Sequence, residues 1–314
     1  MTQVAFPGAT GQVGVTDGAN FIPELWSDDI IAAYKKTLVM GALVTKINHV
    51  GKKGDTIHIP APTRGTADAK VENTVVKIEA NTEAKVDVAI NKHYQHSRLI
   101  EDIVSVQGLD SLRRFYTDDS GYALAKQIDS DIMAQFENLN RAGTTLDDTW
   151  DGAYAADDGT TAFLDATVGN GKDITAAGIA RTMQRLDDAD VPMDGRKIVI
   201  PPICKKDLIL LAAFISADFV SGRPTVSGTI GNIYGADVIV SSNCPSFFSD
   251  DGSTAYRAAL IFHKDAIVFA EQMAIRSQVQ YKQEYLADLL TSDCLYGVGE
   301  LRNDAGIALI VPAI

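Results

Sequence analysis

Apolar positions three and four residues apart run through one long stretch of this chain, from about Leu109 to about Leu139 (LDSLRRFYTDDSGYALAKQIDSDIMAQFENL). In its second half, Ala125, Ile128, Ile132, Phe136 and Leu139 form a stripe that predicts an amphipathic helix. No Pro interrupts the stretch, and Gly121 is its one Gly. A single helix of about 30 residues would be roughly 45 Å long at ~1.5 Å rise per residue. The first half complicates this. Its apolar set, Leu112, Phe115, Tyr116 and Ala123, faces well away from the later stripe at ~100° per residue. The pattern therefore allows one helix buried on two faces by two partners, or two helices joined near Thr117–Gly121.

Period two replaces this spacing between residues 45 and 92. Thr56, Ile57, His58 and Ile59 alternate, as do Val86, Val88 and Ile90 against Lys85 and Asp87, with Pro60, Pro62, Gly65 and a short candidate strand at Thr74–Ile78 between them. Alternation bounded by Gly and Pro predicts strands with one wet face, a long β-hairpin or finger. A lone hairpin is marginal in water, so a finger of this length needs something to lie on. Residues 1–20, rich in Gly, Ala and Thr, read as an irregular arm. A helix then starts at Ser27, a suitable N-cap, carries Ile30, Ile31, Tyr34, Leu38 and Val39 on its apolar face and ends near Met40–Gly41. Arg98–Val106 is a short helix candidate, and residues 140–172, with Trp150, Tyr154 and Phe163 scattered among Gly, Asp and Thr, read as a surface loop.

From Asp173 the pattern becomes α/β: a helix over Ile174–Ala189, a turn at Gly195, a buried strand Lys197–Ile200 and a helix Lys205–Phe214. A loop-rich stretch follows at 221–235, then a strand Val238–Val240 and a loop Ser241–Pro245. Strands Arg257–His263 and Ala266–Ala270 flank Lys264-Asp265, Ile275–Tyr281 and Leu286–Leu290 are extended or mixed, and strands Leu295–Val298 and Gly306–Val311 close the chain. The 314 residues are enough for one large domain or two ordinary ones.

Charge narrows the function classes. A net charge of −13 argues against wrapping nucleic acid or docking on an anionic membrane. No apolar run approaches the ~18 residues of a membrane span, and the first residues carry no signal peptide pattern, so a soluble protein made inside a cell is expected. Cys204, Cys244 and Cys294 are far apart and predict neither a disulfide framework nor a zinc site. Gly8-Ala9-Thr10-Gly11-Gln12-Val13-Gly14 matches the phosphate-cradling fingerprint of dinucleotide-binding folds, but Pro7 stands where a strand should end, and Gly18 and Pro23 interrupt the helix that should follow. His93 and His96 would point to opposite faces of a strand, and His49, His58 and His263 are isolated. Paired acids (Asp28-Asp29, Asp118-Asp119, Asp147-Asp148, Asp157-Asp158, Asp187-Asp188, Asp250-Asp251) lack Ca²⁺-loop spacing and read as solvated loop charge. Catalytic, cofactor-binding and metal-binding residues are therefore all assigned as none, with no cofactor.

Four stretches resemble the major capsid proteins of tailed phages, the HK97-type fold, and above all those of short-tailed phages. Phe21-Ile22-Pro23-Glu24-Leu25-Trp26-Ser27-Asp28-Asp29-Ile30 is similar to the family's N-arm entering its first helix. The finger running into Tyr94–Val106 is similar to its E-loop, and Phe115–Asp119 with Tyr122–Asp129 to the start of its spine helix. Gly228–Asn243 followed by Ala259–Ala266 is similar to its axial-domain strand and loop. The resemblance implies an α+β capsid fold: an N-terminal arm and first helix (1–44), an E-loop β-finger (45–97), a P-domain (98–172) with the spine helix at about 109–139, an A-domain (173–256) and return strands (257–314).

It also implies a structural protein, not an enzyme: a virion subunit assembling with itself into hexamers and pentamers of an icosahedral head, made in the bacterial cytoplasm and enclosing double-stranded DNA without sequence-specific binding. Because the chain starts directly at the arm, a separate scaffolding protein is expected, with a portal protein and a cement or decoration protein as further partners. Arg113 and Arg114 are candidates for local contacts with neighbours. A spine helix that meets two partners in succession accounts for the change of apolar face, so one continuous helix is expected. Two alternatives stand beside this reading: an NAD(P)-binding reductase or epimerase resting on residues 8–14, and an encapsulin-like compartment shell.

Overall fold

The structure, a computed structural model, describes residues 38–51, 53–62, 65, 67–78, 83–102, 111–142, 150–164, 166, 169–210 and 231–313. The phosphate-fingerprint stretch at 8–14, the arm, Ser27 and most of the first predicted helix lie outside them. Leu38 and Val39 are not helical, and Met40–Ala42 forms a single 3₁₀ turn.

The predicted long helix is one element. Helix α1 runs from Ser111 to Ala134 without a break at Asp118–Ser120, and a 3₁₀ turn extends it over Gln135–Asn138. Around it lie strands β1 (Thr45–Asn48), β2 (Thr56–Pro62), β3 (Glu83–Ala89) and β4 (Lys92–Glu101) before it in the chain. After it come β5 (Tyr154–Ala155), helix α2 (Ala176–Asp188), β6 (Arg196–Ile200), helix α3 (Pro202–Leu210), β7 (Asn232–Ile233), β8 (Ala236–Val240) and β9 (Ser246–Phe248). The chain closes with β10 (Ala255–His263), β11 (Ile267–Lys282), β12 (Ala287–Glu300) and β13 (Gly306–Pro312). One sheet has the order β1-β11-β12-β4, a second runs β5-β13-β10-β6-β8-β7 with β9 on β10, and β2 and β3 form a separate two-stranded hairpin.

Helix α1 has two partners, as its pattern requires, and both belong to the same chain. Its early turns lie against β4: Arg98 reaches Asp119 at 2.8 Å and stacks its guanidinium 4.7 Å from the Tyr116 ring centre, and His96 meets the Ser120 hydroxyl at 2.9 Å. Its later turns enter the main core, where Phe136 meets Phe262 edge to face at 4.8 Å and Ile132, Met133 and Leu139 are buried.

Two buried aspartates fix the helix between these surroundings. Asp129 and Asp131 are two residues apart, which on a helix turns them about 200° from each other. Asp129 accepts hydrogen bonds from the backbone N–H groups of Val39 (3.0 Å) and Met40 (2.7 Å) and from the Asn243 amide (3.1 Å). It thereby ties the helix to the 3₁₀ turn and to the loop after β8. Asp131 accepts from the Tyr296 hydroxyl (2.8 Å) and from Gln127 (2.9 Å), and pairs with Lys92 at 3.0 Å, tying the helix to β12 and β4. Burial and this carboxylate together push the Tyr296 phenol far above its ordinary pKa, so it stays a donor.

Three expectations need correction. Arg98–Glu101 continues strand β4 rather than starting a helix, because ten residues from Lys92 alternate between half-buried and exposed and pair in full register with β12; residues 103–106 lie outside the described residues. Thr74–Ile78 forms no strand. The described part of 140–172 is no surface loop: Trp150, Tyr154 and Phe163 are buried, Tyr154–Ala155 pairs with Leu309–Ile310, and Trp150 stacks on Phe247 at 5.7 Å. The aromatics are core anchors whose spacing is irregular because only Tyr154 lies in a strand, the two-residue β5, while Trp150 and Phe163 are presented by the turns and loop around it.

The later α/β elements follow the pattern closely. Thr175 caps α2 by accepting from the Gly178 N–H at 3.1 Å, and Ile179, Met183 and Leu186 face the core. Pro202 starts α3 earlier than the apolar spacing suggested, since its fixed φ suits a first helical turn. The residues read as extended or mixed, Ile275–Tyr281 and Leu286–Leu290, fall in the two long strands β11 and β12.

Asp129→Ala takes the acceptor from the buried Met40 N–H and from one buried Asn243 amide hydrogen, and also from the half-buried Val39 N–H, and a donor buried without an acceptor costs about 1–3 kcal/mol. Denaturant unfolding should show a loss of at least that size, and a smaller one for Asp129→Asn, which keeps one acceptor oxygen; unchanged stability in Asp129→Ala would show that the clamp does not hold.

Candidate functional site

Two β elements reach away from the body of the subunit and carry many of its exposed large apolar side chains. The first is the finger. Cross-strand pairs Ile57–Val88 and Ile59–Val86 make one face of the hairpin apolar, and His58–Asp87 and Pro60–Lys85 make the other polar. This is the one wet face that alternation predicted. The apolar face sits on Val268 and Ala270 of β11 and on Leu295 and Leu301, a small core of its own. On the wet face, hydrogen bonds from His58 and Lys85 hold the Asp87 carboxyl below its ordinary pKa. Pro60 and Pro62 are tolerated because every strand of a two-stranded hairpin is an edge.

Between β2 and β3, residues 67–78 run without regular hydrogen bonding, and Lys77 pairs with Asp68 at 2.6 Å. Here Val71, Val75, Val76 and Ile78 are 65–94% exposed. Four large aliphatic side chains left in water within eight residues form the kind of patch that marks a contact surface.

The second projection is the β11–β12 ribbon. Ile267–Ala270 are buried, but Ala274–Tyr281 are exposed, and the turn beyond carries Tyr285 and Leu286, each 64% exposed. Among the described residues, β11 has a strand partner on its β1 side only over Val268–Glu271, so the rest of that edge is open. Arg276 braces the ribbon by binding Asp293 with two nitrogens at 2.8 and 2.9 Å, and His93 lies 3.5 Å from the same carboxylate. These contacts, the Arg276 hydrogen bonds foremost, hold the Asp293 carboxyl below its ordinary pKa. A groove beside the ribbon root is lined by Leu38, Ala125, Ile128, Phe269 and Ile275.

The other residues weighed in the sequence are scattered. His93 and His96 lie on opposite faces of β4, His58 is on the finger, and His263 is buried with its Nδ1 accepting from the Asp265 N–H at 3.3 Å. Cys204, Cys244 and Cys294 are buried and not joined in disulfides, and burial raises the thiol pKa of Cys204 and Cys294, which disfavours the reactive thiolate. Asp119 and Asp187 serve Arg98 and Arg196, and Asp158 and Asp251 bond within their own turns. No group of three or more potential ligands among the described residues would hold a metal ion. The side chains of Arg113 and Arg114 lie outside the described residues. Sequence reasoning missed Asp129, Asp131, Arg276 and Asp293. Their partners lie on elements distant in the chain; the sole local signal was an acid in the middle of an apolar helical stripe.

Two projecting β elements thus leave large side chains exposed toward their far ends, Val71, Val75, Val76 and Ile78 on the finger and Tyr285 and Leu286 on the ribbon. The phage capsid protein family matches residues 33–307, and the chain belongs to that family. It is a structural protein, the major subunit of a phage capsid, and its fold is HK97-like. A structure from Mycobacterium phage Che8 is 25% identical and superposes with a TM-score of 0.72, covering 92% of this chain and 97% of that one. The capsid of cyanophage P-SCSP1u is 18% identical with a TM-score of 0.70, covering 93% of each chain. The mature capsid of bacteriophage PhiM1 is 14% identical with a TM-score of 0.71, covering 100% of this chain and 97% of that one. No curated protein sequence matches significantly. Neither the reductase nor the encapsulin reading gains support from these matches.

The brace on the ribbon carries a pH signature. Because the folded state holds the Asp293 carboxyl below its ordinary value of 3.8, the brace stabilises fully above that value and is lost as the pH falls below it. The melting-temperature gap between the native protein and Arg276→Met should therefore be constant at neutral pH and close in strong acid. A gap independent of pH down to about 2, well below the ordinary carboxylate range, would show that the pair contributes nothing.

Proposed function

We propose that this subunit assembles with itself into hexamers and pentamers of an icosahedral head around double-stranded DNA, and that the finger is the element that grips a neighbouring copy. The observation that carries this is the finger's division of labour. Its apolar root is satisfied within its own chain, while Val71, Val75, Val76 and Ile78 toward its far end are left in water. Burying an aliphatic side chain of this size contributes about 1.5–3 kcal/mol, and a lattice repeats that gain at every contact.

In this reading residues 45–97 supply the E-loop, residues 98–172 the P-domain with α1 as its spine, residues 173–256 the A-domain and residues 257–314 the strands returning through both. Two boundaries are softened by the sheets. β1 and β4 lie in one sheet with β11 and β12, so the free finger is confined to β2, β3 and the stretch between them, and β10 spans the boundary at 256/257. Residues 1–20, an arm without apolar periodicity, act as a second strap onto neighbours. The net charge of −13 keeps the shell from adhering to packaged duplex. A separate scaffolding protein, a portal protein and a cement or decoration protein are the further partners of such a head.

Replacing Val75, Val76 and Ile78 together with Ser should leave the subunit folded, with an unchanged unfolding midpoint, because these side chains touch little of their own chain. The same variant should fail to form closed particles in electron micrographs under conditions where the native chain does. Normal particle formation would remove the finger from the list of gripping elements.

A further inference from the structure

We infer that Gly297 is a positioning residue for assembly: it forms the seat that sets the direction in which the finger leaves the body. The inference rests on the reading of the finger as the inter-subunit grip and goes beyond it by naming what aims that grip. A two-stranded hairpin has no sheet of its own to hold its angle, and a small error at the root becomes a large displacement at the tip. The root must therefore be located by close contact, and among the glycines of the described residues the tightest contact with the root is at Gly297.

Strand β3 ends at Ala89, and the Ala89 carbonyl oxygen crosses directly over Gly297 of β12. A Cβ placed on Gly297 would lie 2.4 Å from that oxygen, 3.0 Å from its carbon and 3.1 Å from the Ile90 Cα. All three are backbone atoms, which cannot turn aside as a side chain would. One step along β12, Val88 covers Gly299, where an added Cβ would lie 3.2 Å from a Val88 methyl group. Val88 is 1% exposed and Ile90 7% exposed, and the Ile90 N–H is bound to the Asp55 carbonyl at 2.7 Å. Both ends of the hairpin root are thus fastened over the same spot. Gly297 and Gly299 themselves pair with Ala270 and Val268 of β11, so the seat lies on the part of the ribbon that is buried and fixed. Neither glycine adopts a left-handed backbone conformation. Their requirement is space, for the hairpin backbone at Gly297 and for the Val88 side chain at Gly299, not turn geometry.

The two glycines therefore differ in kind. Ala at 299 meets a side chain that can shift by a few tenths of an ångström. Ala at 297 meets backbone, so the hairpin root must lift. The rest of the subunit, including α1 and the main sheet, has no part in this contact and keeps its core.

The three native cysteines are buried, which leaves introduced surface thiols free for selective spin labelling. The full chain carrying Ala84→Cys on the finger and Gln278→Cys on the ribbon reports finger direction as an inter-label distance, and electron microscopy of the same preparations reports closed particles. Gly297→Ala should shift or broaden the distance distribution and reduce closed particles roughly tenfold or more, because a lattice multiplies a small loss at each contact. Gly299→Ala should change both much less. Gly121→Ala, whose Cβ would meet nothing within 4 Å, should change neither. If Gly297→Ala proves too unstable to purify, Val88→Ala loosens the same seat from the hairpin side and should broaden the distance likewise. A distance unchanged in the Gly297 or Val88 variant overturns the seat, whatever the particles do. A shifted distance with a native yield of closed particles overturns the role in assembly and, with it, the finger as the grip. Absence of particles from the native chain even with a scaffolding protein supplied would count against self-assembly, and the distance measurement would still decide the seat.

Discussion

Helix α1 is buried on two sides, and the rest of the subunit is arranged to satisfy both. A helix with one apolar face can rest on one sheet; this one lies between the β4–β12 side of one sheet and the core of the other. The two surroundings are joined to it by polar groups as well as by packing. Asp129 collects three donors from the 3₁₀ turn and the β8 loop, and Asp131 collects Tyr296, Lys92 and Gln127. Buried carboxylates are costly unless every lone pair finds a donor, so each aspartate specifies the position of several partners at once. That requirement, more than apolar packing, makes the relation between helix, sheets and the start of the described chain a single solution.

A rigid body of this kind makes exposed projections useful. The finger and the β11–β12 ribbon are both β elements, both rooted in buried residues and both apolar at their far ends. Their roots are closed within the chain: the finger over Gly297 and Gly299, the ribbon through Ile267–Ala270 and the Arg276–Asp293 brace. Among the described residues, nothing covers the large side chains exposed toward their far ends. An isolated subunit therefore leaves aliphatic surface in water that a second copy can cover. Membership of the phage capsid protein family gives that surface its context.

Much of the fold was legible in the sequence because periodicity survives wherever one element meets one environment. The long helix, the hairpin, α2 and the closing strands all fall in this class. The change of apolar face along α1 was the most informative irregularity, since it called for two partners and two are present. The misreadings share a cause. Arg98–Glu101 is strand because β12 pairs with it, and Trp150, Tyr154 and Phe163 are core because β13 and Phe247 receive them. In each, a distant partner overrides the local pattern. The same limit hid the functional details. The exposed aliphatics of 71–78 were read only as a short strand candidate at Thr74–Ile78, and it is their exposure among the described residues that marks them as a contact surface. Nothing local distinguishes Gly297 from any other strand glycine until Ala89 is seen above it.

The central claim is that the finger's root belongs to its own chain and its far end to a neighbour. A cryo-electron microscopy map of the assembled particle tests this directly. The account predicts that Val75, Val76 and Ile78 of each copy are buried against an adjacent copy, while Val88 and Ala89 remain on Gly299 and Gly297 of their own. Particles in which residues 71–78 fold back on their own subunit, or stand free in solvent, would contradict it.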